Sequence, residues 1–115
     1  MHEASLAGGV LQLVEDTARR EGFTRLLVLR LEAGQLAGVD SRALRFALDS
    51  LAPGTLLAGA SIEIEEPAGQ AWCMPCAQTV ALAQRGLACP RCGGHQLQPT
   101  AGLALRVLDM QVADD

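Results

Sequence analysis

The chain has 115 residues, of which 50% are hydrophobic and only 3% aromatic, and it carries a formal net charge of −4 at pH 7. This length fits one domain, or one domain with a small inserted module, around an aliphatic core. The acidic balance and the scarcity of aromatic side chains argue against a general nucleic-acid binder. No apolar stretch reaches the length of a membrane span, and the N-terminus lacks a secretory signal pattern. We therefore expect a cytoplasmic protein whose specific partner is a protein or a metal ion.

Residues 4–21 have the apolar periodicity of an amphipathic helix. Gly8 and Gly9 interrupt the pattern and each weakens a helix by about 1 kcal/mol relative to Ala, so we expect them to allow close packing against a neighbour. Gly22 is suited to end the helix in a left-handed conformation. The side chains that we expect on the buried stripe are Leu6, Val10, Leu13, Val14 and Ala18.

A strand, a second helix and a second strand are predicted next. Residues 25–34 form an apolar run typical of a strand that is covered on at least one face. Asp40 provides an N-cap for the second helix, which Pro53 ends. From Ser61 onward, apolar and acidic residues alternate strictly, as in a half-buried strand. The apolar stripe of the second helix is expected to contain Leu44, Ala47, Leu48 and Leu51.

A cysteine-containing segment then separates these elements from residues 103–112, which return to an extended pattern. The simplest arrangement is an α+β fold in which two helices pack on a three-stranded sheet and a zinc-ribbon-like module is inserted before the last strand. The expected domains are residues 1–69 with 100–115, and the inserted module of residues 70–99.

Four cysteines with the spacing C-x2-C-x12-C-x2-C give the strongest chemical signal in the chain: Cys73, Cys76, Cys89 and Cys92. Two such pairs close a tetrahedron of thiolates around one ion, and four soft sulfur ligands favour zinc or iron. The aromatic shell of rubredoxin-like iron sites is missing, which favours zinc. Four thiolates leave no open position on the metal, so this zinc is expected to be structural rather than catalytic.

The N-terminal Met-His-Glu offers a different type of metal site. The amine of Met1, the deprotonated amide of His2 and the Nδ1 atom of its imidazole lie nearly in one plane when they chelate an ion, a geometry that suits Ni(II) or Cu(II). Alternatively, His2 belongs to an ordinary solvated terminus. Glu3 and Asp40 also have simple explanations at helix starts, where carboxylates are favoured, and a histidine at the position of His95 is more often a surface loop residue than a ligand.

Taken together, these motifs resemble the HypA/HybF family of nickel-delivery proteins for [NiFe]-hydrogenase maturation. The similarity rests on the initial MHE, the acidic helix cap in GVDSRALRFAL, IEIEEP leading into WC, and the cysteine spacing. It implies a nickel-binding α/β domain with Ni(II) as transient cargo and a structural Zn(II) on the four cysteines. His2 matches the family's main nickel ligand, with Glu3, Asp40 and His95 as weaker assignments.

The resemblance also implies two partners, a maturation GTPase and the precursor of the hydrogenase large subunit. It leaves the oligomeric state open, with a homodimer as one alternative. No phosphate-binding loop or catalytic triad spacing is present in the sequence, so we expect no enzymatic activity. Two other functions are consistent with the cysteine spacing. One is a zinc-ribbon adapter without a second metal, and the other is a small iron electron carrier.

Overall fold

The computed structural model describes residues 2–114 and has the predicted α+β architecture. Its strands form two three-stranded sheets with the orders β2-β1-β6 and β4-β3-β5. The first sheet contains the three strands expected from the sequence, whereas the short strands of the second sheet were not predicted individually. In chain order the elements are α1 (Glu3–Glu21), β1 (Arg25–Ala33), α2 (Ser41–Leu51), β2 (Ser61–Glu65), β3 (Gln70–Cys73), β4 (Gln78–Ala81), β5 (Leu97–Ala101) and β6 (Leu105–Ala113).

The described chain divides into two compact units. The first, here called the helical unit, contains residues 2–31, 40–64 and 107–114. The second, here called the cysteine unit, contains residues 32–39 and 65–106. Neither helix in residues 2–114 combines the length and the apolar character that a membrane span requires.

Helix α1 buries a narrower stripe than the sequence predicted. Val10, Val14 and Ala18 are buried as expected, and Ala7 joins them, but Leu6 is only half-buried and Leu13 is 46% exposed. At 100° per residue, Leu6 and Leu13 lie on one flank of the stripe rather than at its centre. The explanation of close packing for Gly8 and Gly9 is wrong, because a Cβ atom at either position would meet nothing within 4 Å.

Helix α2 begins where Asp40 caps it, as predicted. The Asp40 Oδ1 atom accepts hydrogen bonds from the backbone N–H groups of Arg42 (3.0 Å) and Ala43 (3.2 Å), which satisfies two of the unpaired donors at a helix start. Leu51, expected on the buried stripe, is 37% exposed. The largest fully buried side chains of the helical unit are Leu29, Leu31, Leu44, Leu48, Leu57 and Val14.

The cysteine unit is built on the central strand β3, which pairs antiparallel with β4 on one side and β5 on the other. The pairing places Cys73 opposite Gln78 and opposite Leu97. Glycine residues let the backbone pack closely in this unit, since a Cβ atom at Gly34 would lie 2.8 Å from the Cα atom of Gly102 and closer still to its carbonyl group.

Candidate metal sites

The first cysteine pair occupies the tight turn of the β3–β4 hairpin. The Ala77 N–H group donates to the Cys73 carbonyl oxygen at 2.9 Å, which closes the turn around Met74, Pro75 and Cys76. Ala77 has a φ of 52°, in the left-handed region that glycine adopts most readily. The turn therefore brings both thiols to one side, with some backbone strain at Ala77.

The second cysteine pair repeats this geometry with a glycine in the strained position. The Gly93 N–H group donates to the Cys89 carbonyl oxygen at 2.9 Å, and Gly93 has a φ of 75°. The Cys89 N–H group also donates to the Gly94 carbonyl oxygen at 2.7 Å. The two C-x2-C segments are thus equivalent turns, and the C-P-R-C-G sequence supplies the better residue for the second one.

The four sulfur atoms come together within 4.8 Å of one another. The Sγ atoms of Cys73 and Cys92 are 3.6 Å apart, and those of Cys76 and Cys89 are 4.0 Å apart. A tetrahedral zinc site with Zn–S bonds of about 2.3 Å requires S···S separations of about 3.8 Å. The donor set and its spacing therefore fit a structural metal ion of the zinc type.

Each sulfur atom of the second cysteine pair accepts a hydrogen bond from a backbone N–H group. The Arg91 N–H donates to the Cys89 Sγ and the Gly94 N–H donates to the Cys92 Sγ, both at 3.4 Å. Such donors stabilise the thiolate form, which is the form that binds metal. The sequence pattern did not identify these two donors by itself, although the residues that follow C-P in the second turn place them there.

The thiols differ in acidity because they share protons within one cluster. The Cys92 backbone N–H lowers the pKa of Cys89 to about 6, although burial opposes the shift. A hydrogen bond with the Cys73 thiol raises the pKa of Cys76 to about 12. A divalent cation favours the thiolate form of all four cysteines, so metal binding releases protons and weakens as the pH falls.

The starts of both helices meet in the helical unit. His2 is the N-cap of α1, and its carbonyl oxygen accepts a hydrogen bond from the Leu6 N–H at 3.1 Å. The Glu3 Oε2 atom accepts a hydrogen bond of 3.1 Å from the backbone N–H of Asp40, the N-cap of α2. This hydrogen bond lowers the pKa of Glu3, which holds its carboxylate in the ionised form. Glu3 thereby joins the starts of α1 and α2 across 37 residues of sequence.

The remaining predicted site residues have different locations. Met1, the predicted amine ligand, lies outside the described residues. His95 belongs to the cysteine unit, where it lines a groove together with Arg85 and Leu87. Sequence reasoning did not identify this groove, because its lining comes from separate segments with no local motif.

Comparison with known proteins gives a consistent result along the whole chain. A family model described as "Hydrogenase/urease nickel incorporation, metallochaperone, hypA" matches residues 1–112. Proteins named hydrogenase maturation factor HypA from Polaromonas naphthalenivorans and Cupriavidus necator are 70% and 67% identical over 115 and 114 residues. These alignments cover 100% of the chain and 100% of the first relative, and 99% of the chain and 96% of the second.

A solved structure shares the fold. The solution structure of the Ni metallochaperone HypA from Helicobacter pylori matches with a TM-score of 0.68 and covers 100% of both chains. Its sequence identity to this chain is 19%, so this similarity concerns the fold alone.

Proposed function

Because the chain belongs to the HypA family of nickel metallochaperones for hydrogenase maturation, we propose that it binds Ni(II) at its N-terminus and delivers it. The acceptor is the precursor of the [NiFe]-hydrogenase large subunit, and a partner GTPase assists the transfer. The relatives are named as maturation factors, which are not catalytic enzymes. In this proposal Ni(II) is cargo, and a Zn(II) on the four cysteines is a permanent part of the structure.

The hydrogen bond between Glu3 and Asp40, directly beside His2, is the observation that carries this proposal. As the N-cap of α1, His2 contributes its carbonyl oxygen to the helix, while the N–H of an N-cap residue is not part of the intrahelical hydrogen-bond pattern. Its amide nitrogen is therefore suited to lose a proton and bind nickel without breaking the helix. The amine of Met1 and the Nδ1 atom of His2 complete three positions of a square plane.

Glu3 and Asp40 supply negative charge beside this plane. The lowered pKa of Glu3 keeps its carboxylate charged, which favours a divalent cation nearby. Asp40 uses its Oδ1 atom to cap α2, so Oδ2 is the oxygen that we propose as a nickel contact. A nickel ion there is expected to affect the start of α2 as well as that of α1.

We also propose that His95 contributes an imidazole ligand when the protein holds nickel. The division into a nickel-binding domain (residues 1–69 and 100–115) and an inserted zinc-binding module (residues 70–99) stays a prediction, as does a cytoplasmic location. A zinc-ribbon adapter without a second metal is the alternative function, and no observation on the described residues favours it.

Nickel titration of untagged, zinc-loaded protein followed by calorimetry tests the proposal. The His2→Ala variant is expected to lose nickel affinity by at least about 100-fold while its zinc content stays the same. The variant lacks the imidazole ligand, and deprotonation of the backbone amide is favoured only when the amine and the imidazole on either side of it hold the metal. A protein with extra residues before Met1 is expected to show a similar loss, since its amine is no longer placed to chelate.

Two further variants separate the residue roles. Glu3→Gln keeps a hydrogen-bond acceptor for Asp40 but removes the charge, so it is expected to weaken nickel binding less than His2→Ala. His95→Ala is expected to weaken nickel binding without loss of zinc. Undiminished nickel binding by both His2→Ala and the extended protein would contradict the proposed N-terminal site and leave the adapter function as the better account.

A further inference from the structure

The groove that contains His95 is lined by both aliphatic and polar side chains. It encloses about 210 Å³, which is smaller than a typical pocket for a drug-sized ligand and is sufficient for one or two side chains. Most of its lining is aliphatic, and the exposed Leu87 is accessible to solvent over 48% of its surface. The residues that line it are Leu82, Arg85, Gly86, Leu87, His95, Leu97 and Pro99.

Arg85 is held in a fixed orientation within this groove. Its Nε atom donates a hydrogen bond of 3.1 Å to the Leu36 carbonyl oxygen. Among residues 2–114, its two terminal nitrogen atoms have no hydrogen-bond or ion-pair partner. A guanidinium anchored at Nε with two free terminal nitrogens is suited to bind one carboxylate, and its anchored orientation reduces the entropy lost on binding.

No aspartate or glutamate of the surrounding sequence competes with an acidic ligand for Arg85. Residues 67–108 contain three arginines and His95 but no aspartate or glutamate, so all thirteen acidic residues of the chain lie outside this stretch. The segments that form the groove walls therefore provide no carboxylate of their own to compete for Arg85. Opposite charge on a ligand steers its approach and fixes its orientation.

We propose that this groove binds a short segment of a protein partner in which an acidic residue adjoins a branched aliphatic residue. The acidic side chain pairs with Arg85, and His95 adds a second polar contact beside it. The aliphatic side chain enters the space between Leu87 and Leu97. A single-stranded nucleic acid fits less well, since it requires aromatic platforms and a series of cations along its backbone. This inference does not depend on nickel binding.

The test uses zinc-loaded, nickel-free, full-length protein labelled with ¹⁵N and a pair of capped peptides. One peptide contains adjacent leucine and glutamate within glycines, and the other has glutamine in place of glutamate. Saturable NMR shifts are expected at Gly86, Leu87 and His95 with the glutamate peptide. The dissociation constant is expected to be about tenfold higher for the glutamine peptide, because charge-assisted hydrogen bonds are the stronger ones.

Matched variants decide whether the groove itself is responsible. Arg85→Glu is expected to weaken glutamate-peptide binding at least about tenfold and to bind a leucine–arginine peptide instead. Arg106→Glu makes the same charge change in the cysteine unit outside the groove lining and is expected to bind like the parent protein, with zinc content measured in both variants. An equal loss of affinity for the glutamate peptide in both variants would mean that the net charge of the protein, rather than the groove, causes the effect. This result would overturn the proposal. Tighter binding of oligouridine than of the glutamate peptide would also overturn it.

Discussion

The helical unit and the cysteine unit differ in the side chains that they bury. The helical unit buries large aliphatic side chains, among which Leu29, Leu44 and Leu48 have no exposed surface. In the cysteine unit, one buried cluster contains only Leu36, Ala71 and Leu82, and another contains Cys73, Val80 and Cys89. Two proposed zinc ligands are therefore core residues of the cysteine unit. Because the cysteine unit has so little apolar surface to bury, we expect it to depend on metal–sulfur bonds for stability, whereas the helical unit depends on burial.

Glycine residues also have different roles in the two units. In the helical unit, Gly8 and Gly9 face open space, so they reduce helix stability without improving packing. In the cysteine unit, Gly34 and Gly102 bring two backbone segments into direct contact, which no other residue type permits.

Removal of zinc is the largest perturbation that distinguishes the two units. Structural zinc sites contribute on the order of 10 kcal/mol of apparent binding free energy at neutral pH, so chelation or Cys73→Ser is expected to unfold the cysteine unit. Amide hydrogen exchange measures the effect separately in each unit. We expect protection to disappear from β3, β4 and β5 and to persist in α1 and α2. Equal loss of protection in both helices would contradict a helical unit held by its own core.

Gly34→Ala is expected to produce the next largest effect. The added Cβ atom would overlap the backbone of Gly102, which has no flexible side chain that can move aside. We expect the free energy of unfolding to fall by about 3 kcal/mol, at the upper end for overpacking, as measured by urea denaturation of the zinc-loaded protein. Gly9→Ala is a useful control, since nothing lies within 4 Å of its added Cβ. An equally large loss in that variant would mean that close backbone contact is not the cause.

Gly8→Ala is expected to raise the free energy of unfolding. Its Cβ atom enters open space within α1, and alanine is favoured over glycine in a helix interior by about 1 kcal/mol. Thermal unfolding is expected to show a correspondingly higher midpoint. Gly22→Ala makes the same substitution at the end of α1, where φ is 82°, and is expected to destabilise the protein. Stabilisation by both substitutions would show that the left-handed end of α1 has no energetic importance.

Local patterns predicted the features that depend on neighbouring residues. The Asp40 N-cap and the zinc-type cysteine cluster follow from short motifs, and the structure contains both. The hydrogen bond from Asp40 to Glu3 was not predictable, because it joins positions 37 residues apart whose approach depends on how α1 packs against α2. Leu13 was misplaced for a related reason: periodicity identifies an apolar side of a helix, but tertiary contacts decide which part of that side is buried.

Ala77→Gly is expected to change the free energy of unfolding least. It tests whether backbone strain at Ala77 weakens metal binding. A non-glycine residue in the left-handed region costs about 1–2 kcal/mol, and glycine recovers this cost while losing up to about 1 kcal/mol through greater freedom in the unfolded chain. The net gain is expected to be about 0.5 kcal/mol. Because the Ala77 turn positions Cys73 and Cys76, competition with a chromogenic chelator should show zinc affinity about twofold higher. Ala81→Gly is the matched control in β4, where φ is not positive, and is expected to destabilise the protein. Lower zinc affinity in Ala77→Gly would contradict this expectation. It would mean that alanine favours the metal-binding conformation of the turn by more than its left-handed backbone costs.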